Sequence, residues 1–425
     1  MKRIALVILT CLLFSSTALA AQRVELEMWT FVEDHAQYYR LKAEEFNALH
    51  PDIDFVLNVS TFPNEQMHDK LNIALLTGIG APDIADVEKD KFPGLLTNSA
   101  DQLVDLTPLI DRYRDKIVEA RLTLYTRDGI TYGIPTHIGT GVIFYNKEIF
   151  DAAGINVDDI ETWEDYIEAG KKITQDLDGD GEIDVYMTAV PSLHWWVFNI
   201  ISRQLGSNYF DEQGNVILDR PENVRALQML QDFVYEHKIA EVVSGYNNVN
   251  FYNGANSGRY ASILPMPQWY MTRITNFMPD LEGKVVVRPI PAWEPGGVRS
   301  SSAGGTGTVI TKHCRNIDVA MEFLEFAKLS KEGNVDIWTK LGFDPIRRDV
   351  YDEPELYQPI PFFGNEIVMN TIKGLQDDIL PFYLSDKYPL VRDIMTEEVL
   401  FNAIENRGDV QKLLEDAARK LRSAQ

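Results

Sequence analysis

The stretch VELEMWTFVEDHAQYYRLKAEEFNALHPDIDFVL, residues 24–57, decides the fold class. Its first six residues alternate apolar and polar side chains, which predicts a half-buried strand. Tyr39, Ala43 and Phe46 then recur at helical spacing, until His50-Pro51 ends the helix. Residues 53–57 return to a strand pattern. A strand, a helix and a second strand in this order predict an α/β domain.

The alternation continues along the chain. A helix is predicted over residues 70–76, and strands over 82–87, 141–145 and 307–310, the last followed by a helix that starts near Asp318. This order favours largely parallel sheets. Thr162 and Asp165 predict a capping box at the start of a further helix. The C-terminal stretch 390–421 has an amphipathic helical pattern. About 400 residues exceed a single core, so two domains are expected.

The N-terminal residues predict export. Lys2 and Arg3 precede an apolar run to Phe14, and the small residues Ala18 and Ala20 form an A-x-A site. Residues 1–20 are therefore interpreted as a signal peptide that is cleaved after Ala20. The run is too short for a membrane anchor, and Cys11 lies inside it rather than at a lipidation position. The expected location is the periplasm, without membrane attachment.

Charge and cysteine content exclude some functions. The chain has 64 acidic and 40 basic residues, a formal net charge of −24, which loss of Lys2 and Arg3 would bring to −26. Such a surface repels nucleic acid and anionic lipid, so neither is expected as a partner. Cleavage would leave Cys314 as a lone cysteine, interpreted as a buried, inert thiol.

Five segments carry a family resemblance. The most specific is YGIPTHIGTGVIFYNKEIFDAAGI at 132–155. The others are FNALHPDI at 46–53, ALLTGIGAPDIAD at 74–86, residues 162–174 and residues 304–326. Together they resemble the extracellular solute-binding proteins of sugar ABC transporters, the family that includes the maltose-binding protein.

The resemblance implies a type II periplasmic-binding-protein fold with two α/β lobes joined by a hinge. Each lobe would hold a mainly parallel sheet flanked by helices. The N-terminal lobe would comprise residues 21–134 and 302–345, and the C-terminal lobe residues 135–301 and 346–425 with hinge segments. It implies a monomer that closes around a carbohydrate and delivers it to a membrane permease. No catalysis and no obligatory cofactor are expected.

A sugar site needs aromatic planes for C–H faces and polar groups for hydroxyls. Trp269 and Tyr270, in PMPQWY, resemble the tryptophan-bearing segment of the family's second lobe. Trp195 and Trp196 are neighbours that point in different directions, so one is expected to pack and the other to face the cleft. The maltose-binding member has a tryptophan after its third strand, where this chain has Val87-Glu88, so that member's specificity is not implied.

Ligands of α/β folds lie beyond the carboxyl ends of strands. Polar or aromatic residues follow the predicted strands at Thr30, Phe31, Glu33, Asp86, Glu88, Lys91, His137 and Thr140. A carboxylate there can accept hydrogen bonds from two sugar hydroxyls; the alternatives are solvated loop charges and, for His137, a polar residue satisfied by the hinge. The predicted ligand-binding residues are Trp29, Phe31, Glu33, Asp86, Glu88, His137, Thr140, Trp196, Trp269, Tyr270 and Gly305.

Two glycine-containing motifs have competing interpretations. GGTG at 304–307 lacks the rest of a phosphate loop, which favours a close approach of backbone to ligand or hinge. DLDGDGEID at 176–184 begins like a calcium loop but has Met187 where a bidentate glutamate is needed. A structural calcium bound by Asp176, Asp178, Asp180, Glu182 and Asp184 is one prediction, and a solvated acidic turn is the alternative.

Two other functions remain open. A secreted glycoside hydrolase would also use aromatics and paired carboxylates, but no nucleophile or acid motif is recognisable. The same fold could bind a polyamine, a metal complex or an oxyanion. Several aromatics and few cations near the predicted cleft favour a neutral polyol over an anion, whereas Glu33, Asp86 and Glu88 could serve a cation.

Overall fold

The computed structural model describes residues 21–424, and the predicted signal peptide lies outside them. The strands within this range are β1 Gln22–Thr30, β2 Ile53–Thr61, β3 Ile84–Glu88, β4 Thr126–Arg127, β5 Ile130–Thr131, β6 Ile134–Pro135, β7 Gly141–Asn146, β8 Thr188–Pro191, β9 Ala240–Val243, β10 Ser262–Pro267, β11 Val285–Pro289 and β12 Thr306–Ile310. Most of them are short, and the longer ones form two separate sheets.

The α-helices of the same range are α1 Glu33–Leu49, α2 Asn64–Thr77, α3 Phe92–Ser99, α4 Thr107–Ile110, α5 Glu119–Leu122, α6 Lys147–Ala152, α7 Trp163–Ile173, α8 Trp196–Gln204, α9 Pro221–Tyr235, α10 Val249–Asn256, α11 Tyr270–Phe277, α12 Ile317–Leu324, α13 Lys331–Leu341, α14 Met369–Ile372, α15 Tyr388–Ile394, α16 Phe401–Ile404 and α17 Val410–Ser423. Over residues 21–424 none of them combines the length and the apolar character that a bilayer crossing requires.

The first sheet confirms the strand and helix alternation predicted for the N-terminal part. Its strand order is β2-β1-β3-β12-β6, and β1 runs parallel to both β2 and β3. Strand β12 comes from the far end of the chain and lies antiparallel to β3 and to β6. We call the part of the molecule around this sheet the first lobe.

The second sheet differs from the mainly parallel arrangement that was expected. Its order is β10-β7-β11, and both outer strands run antiparallel to β7. Strands β10 and β11 are parallel to each other, with α11 between them, so this crossover unit is of the expected type. The reversed strand is β7, to which the chain passes directly from the first lobe. In the same way, the reversed strand of the first sheet, β12, is reached directly from the second lobe. We call the part around the second sheet the second lobe.

Local chemistry explains where several helices begin and end. The capping box predicted for α7 is present: the Thr162 hydroxyl accepts the Asp165 N–H at 3.2 Å and the Asp165 carboxylate accepts the Thr162 N–H at 2.8 Å. The C-terminal helical stretch is interrupted between α16 and α17, where Arg407 has a positive φ of 51°. Asp409 then caps α17 by accepting the N–H of Lys412.

Three crossings between the lobes lie side by side. The Ala303 N–H donates to the Gly139 carbonyl at 3.0 Å, and the Ile138 N–H donates to the Asp344 carbonyl at 3.2 Å. The buried Asp344 carboxylate accepts the backbone N–H groups of Gly139 and Thr140 at 2.9 and 2.8 Å. The crossings therefore form one hydrogen-bonded bundle at the edge of the space between the two sheets.

Candidate ligand-binding site

The first-lobe wall of the candidate site begins at the carboxyl end of β3. The Glu88 carboxylate accepts a hydrogen bond from the Asn64 amide at 3.0 Å, and the Glu88 N–H donates to His68 Nε2 at 3.0 Å. The Phe31 ring lies 5.1 Å from the His68 ring. Burial, and next the charge of Asp90, raise the pKa of Glu88. The structure thus brings two predicted residues, Phe31 and Glu88, into one polar and aromatic wall.

Tryptophans form the second-lobe wall. The rings of Trp196 and Trp269 meet edge to face, with centroids 5.1 Å apart and an interplanar angle of 89°. Both rings are partly exposed, whereas neighbouring Trp195 is 7% exposed and packs against Tyr388 at 6.0 Å. One of the adjacent tryptophans therefore packs and the other stays accessible. An edge-to-face pair offers flat apolar surface of the kind that stacks on sugar C–H groups.

Gly304 allows the two walls to approach each other, and Gly305 leaves room for Arg121 of its own lobe. A Cβ on Gly304 would lie 3.0 Å from Trp269 Nε1, and a Cβ on Gly305, which has φ +136°, would lie 2.0 Å from Arg121 Nη2. Arg121 Nη2 donates to the Gly304 carbonyl at 3.1 Å, and the Lys89 N–H donates to the Gly305 carbonyl at 2.9 Å. Any side chain at Gly305 would displace the arginine, so the glycine is required by this close approach.

Several buried polar atoms close to these glycines lack a hydrogen-bond partner within residues 21–424. They are Arg121 Nε, Tyr125 Oη, Thr140 Oγ1 and both ring nitrogens of His137. Burial, and next the charge of Arg121, hold the pKa of His137 well below its ordinary value, so the imidazole is neutral. Unpaired buried donors and acceptors are costly. A polyhydroxylated solute has the matching chemistry, because each hydroxyl both donates and accepts.

Asp86 is not accessible to a ligand, contrary to its predicted role. Its carboxylate is fully buried and accepts hydrogen bonds from the hydroxyls of Thr30, Tyr39 and Thr308 at 2.7–3.1 Å, with His35 Nδ1 at 3.0 Å. Burial alone would raise the pKa of this carboxyl, but the hydrogen bond and charge of His35 outweigh it and lower the pKa to about 2. A ligand would have to displace one of these donors.

Three more predicted residues have other surroundings. Trp29 is buried, its ring lies edge-on to Phe62 at 5.5 Å, and Lys70 Nζ sits 4.2 Å from its centroid. Tyr270 is also buried, and its hydroxyl donates to the Tyr246 carbonyl at 2.6 Å. Both packing positions follow from strand or helix faces that point into the lobes. Glu33 is exposed at the start of α1 and accepts a hydrogen bond from Thr61 at 2.8 Å.

Sequence reasoning missed much of the site. The structure adds Asn64, His68, Arg121 and Tyr125 to the first-lobe wall, and it buries Lys89, Asp90, Arg203 and Tyr388 between the lobes beside the site. Lys89 and Asp90 had a usable signal, since they follow β3 directly. Arg121 lies in a single turn of helix, and Tyr388 is far away in sequence, so neither had a pattern that would identify it.

The acidic loop brings together three of its five predicted ligands. Carboxylate oxygens of Asp176, Asp178 and Asp184 lie within 4.8 Å of one another, whereas Asp180 and Glu182 are outside that group. Asp176 also accepts the N–H groups of Gly181 and Gly179, which lower its pKa. Three convergent oxygen ligands fit a hard cation such as calcium better than a softer metal.

Two walls from different lobes, joined by three crossing segments that lie side by side, define a class of protein: a two-lobed protein that binds a solute between its lobes. Comparison with known proteins agrees. The family described as bacterial extracellular solute-binding protein matches residues 32–333. The chain belongs to this family, which confirms the family predicted from the sequence and, in coarse form, the prediction of export.

Curated relatives extend over nearly the whole chain. The arabinooligosaccharide-binding protein of Bacillus subtilis is 40% identical over 425 residues, covering 98% of this chain and 96% of its own. The protein of the same name from Halalkalibacterium halodurans is 41% identical over 385 residues, covering 89% and 84%. The family and these relatives confirm the prediction of a substrate-binding component rather than an enzyme.

A solved structure confirms the two-lobed fold. The sugar-binding protein MalE from Xanthomonas citri superimposes with a TM-score of 0.79 at 17% identity, over 94% of this chain and 96% of that one. At this identity the likeness concerns the fold alone.

Proposed function

We propose that the protein captures an arabino-oligosaccharide and delivers it to the permease subunits of an ABC importer. The observation that carries the proposal is the 40% identity, over 98% of the chain, to a protein named for binding arabinooligosaccharides. The walls described above support it, since Trp196 and Trp269 supply aromatic surface and Glu88 supplies a hydrogen-bond acceptor for hydroxyls.

Capture follows from hinge closure. A saccharide bound to one lobe stabilises the closed arrangement only by touching the other lobe as well. Trp269 of the second lobe stacks on the sugar, and Glu88 of the first lobe accepts hydrogen bonds from the sugar hydroxyls. Arg121 and Tyr125 offer further donors beside Gly305, next to the approach of Gly304 to Trp269 of the second lobe. No bond of the sugar is made or broken, so the ligand leaves unchanged.

A ligand screen tests the proposal. Protein refolded from denaturant is titrated with arabino-, xylo-, malto- and galacto-oligosaccharides, spermidine and simple oxyanions, using thermal shift and then calorimetry. The expected result is a rise in melting temperature with arabino-oligosaccharides, because a ligand that binds only the folded state stabilises it. A shift with spermidine and with no saccharide would refute sugar capture, and hydrolysis of aryl glycosides would indicate an enzyme.

We also propose the lobe division, location and oligomeric state. Residues 21–134 with 302–345 form one lobe, and 135–301 with 346–425 form the other; pairing of β12 with β3 supports this division. The mature protein begins at Ala21 in the periplasm and is a monomer. Mass spectrometry of the secreted protein and light scattering test these statements; retention of residues 1–20 or a dimer mass would contradict them.

We further propose that the loop 176–184 binds calcium through Asp176, Asp178 and Asp184. Their convergent carboxylates support it. Calcium in the low millimolar range should raise the melting temperature, since exposed sites in extracellular modules have Kd values of about 10⁻⁴–10⁻³ M. Asp178→Asn should abolish this rise, whereas Glu182→Gln, outside the cluster, should retain it. An equal response in both variants would indicate a solvated acidic turn.

A further inference from the structure

One side chain of the first lobe crosses into the second. Lys89 follows β3 directly, and its ammonium lies 5.4, 4.9 and 5.0 Å from the ring centroids of Trp195, Phe382 and Tyr388. All three rings belong to the second lobe. Trp195 directly precedes α8 and Tyr388 begins α15, and these helices pack on α9 and α17 of the same lobe. An ammonium surrounded by three aromatic faces within about 6 Å is in the range of strong cation–π attraction.

Asp90 enters the same place. It forms an ion pair with Lys89 Nζ, and both side chains are almost completely buried. Arg203 of the second lobe lies over the Phe382 ring at 4.1 Å. Burial, and next the charge of Asp90, raise the pKa of Tyr388. The two adjacent residues therefore insert together as one group.

Burial of this pair depends on lobe contact. An ammonium and a carboxylate lose their hydration when they are buried, and the loss is offset only by close, well-formed partners. The rings that provide those partners to Lys89 are on the other lobe. If the lobes separate, the pair returns to water and the rings lose the cation, so this contact exists in the closed arrangement alone.

We propose that Lys89 and Asp90, inserted among Trp195, Arg203, Phe382 and Tyr388, are a clasp that holds the lobes closed and limits the release of ligand. We refer to these six residues as the Lys89 clasp. The inference rests on the capture function proposed above and adds its regulation: the clasp sets the fraction of closed molecules and the lifetime of the complex. The clasp joins one lobe to the other and does not contact the ligand, so its contribution to the stability of the closed arrangement is the same for any ligand that fits.

The first experiment measures closure in the ligand-free protein. Spin labels at Asp128→Cys and Gln213→Cys lie on opposite lobes beside a common groove, and native Cys314 is buried. Double electron–electron resonance should show a larger closed fraction in the labelled parent than in Lys89→Met, which keeps an unbranched side chain of similar length without its charge. The matched control is Glu65→Gln, which removes the partly exposed ion pairs of Glu65 with Arg392 at 3.6 Å and with Lys91 at 2.6 Å; little change is expected there. Equal closed fractions in parent and Lys89→Met would overturn the clasp.

The second experiment measures release of whichever saccharide the screen identifies. Lys89→Met and Phe382→Leu should each raise the dissociation rate about tenfold, and the double variant should not exceed the larger single effect, because both remove one interaction. Multiplying effects would overturn the clasp. Urea midpoints within the parent's range confirm folding of each variant. The failure of every saccharide would refute the proposed sugar but leave the closure measurement to decide on the clasp.

Discussion

Asp86 and Glu88 lie two residues apart in the same strand, yet their carboxylates have opposite surroundings. Asp86 is enclosed by Thr30, His35, Tyr39 and Thr308. Glu88 accepts one hydrogen bond from Asn64, within residues 21–424, and lies beside the site. The donors for Asp86 fall on elements of its own lobe, whereas Lys89, the residue after Glu88, is already surrounded by rings of the other lobe. An acidic residue at a strand end is therefore structural when its own lobe supplies hydrogen-bond donors to all of its carboxylate. It can bind a ligand when those donors are lacking.

Asp86→Ala should have the largest effect on stability. Removal of this carboxylate leaves buried hydroxyls and an imidazole without their acceptor, so the free energy of unfolding should fall by about 4 kcal/mol. Urea denaturation measures the change. The matched control is Glu33→Ala, an exposed carboxylate, with an expected change of about 0.5 kcal/mol or less. Equal effects would mean that the Asp86 network contributes nothing beyond an exposed charge.

Trp269→Ala tests the ligand side of the comparison. Loss of the stacking surface should weaken binding of the saccharide by about 3 kcal/mol, roughly a hundredfold, while the protein remains folded. Titration calorimetry measures the affinity and circular dichroism the fold. Tyr270→Phe is the control, because the Tyr270 hydroxyl donates to the Tyr246 carbonyl and not to a ligand. The affinity of this variant should stay unchanged. Retained affinity in Trp269→Ala would place the stacking surface elsewhere.

The pH dependence should distinguish Asp86 as well. Its folded-state pKa of about 2 lies below the ordinary 3.8, so its stabilisation is present above pH 4 and is lost as the pH falls towards 2. A shift of this size corresponds to about 2 kcal/mol. Stability measured across this range should fall less steeply in Asp86→Asn than in the parent. Parallel curves would show that other carboxylates dominate acid unfolding.

Glu88→Gln should have the smallest effect, with opposite signs for stability and binding. A raised folded-state pKa means that the ionised carboxylate is unfavourable in the folded protein, so its stabilisation is lost as the pH rises through that pKa. The amide should therefore raise stability at neutral pH. Affinity should fall by about 1.5 kcal/mol, because a charged acceptor for hydroxyls is lost. If Glu88→Gln neither gained stability nor lost affinity, Glu88 would be a solvated loop charge and not a ligand-binding residue.

Local patterns predicted the elements better than the site. The alternation at 24–29, the helical spacing of Tyr39, Ala43 and Phe46, and the capping box at Thr162 correspond to β1, α1 and α7. These signals lie within one element, where the periodicity of burial records which face is covered. The apolar and polar pattern of a strand does not depend on the direction in which the strand runs. The antiparallel placement of β7 between β10 and β11 was therefore not predicted.

The family, the two α/β lobes and the region of strand ends and tryptophans in which a ligand would bind could be predicted from the sequence, because these depend on local periodicity and on long matching segments. Which side chains are available in that region became known from the three-dimensional fold. Asp86, Trp29 and Tyr270 are occupied by partners within their own lobes, whereas Arg121 joins the site, and Tyr388 meets Lys89 beside it, from distant segments. Whether a polar or aromatic side chain has a partner depends on residues far along the chain, and sequence spacing carries no information about that.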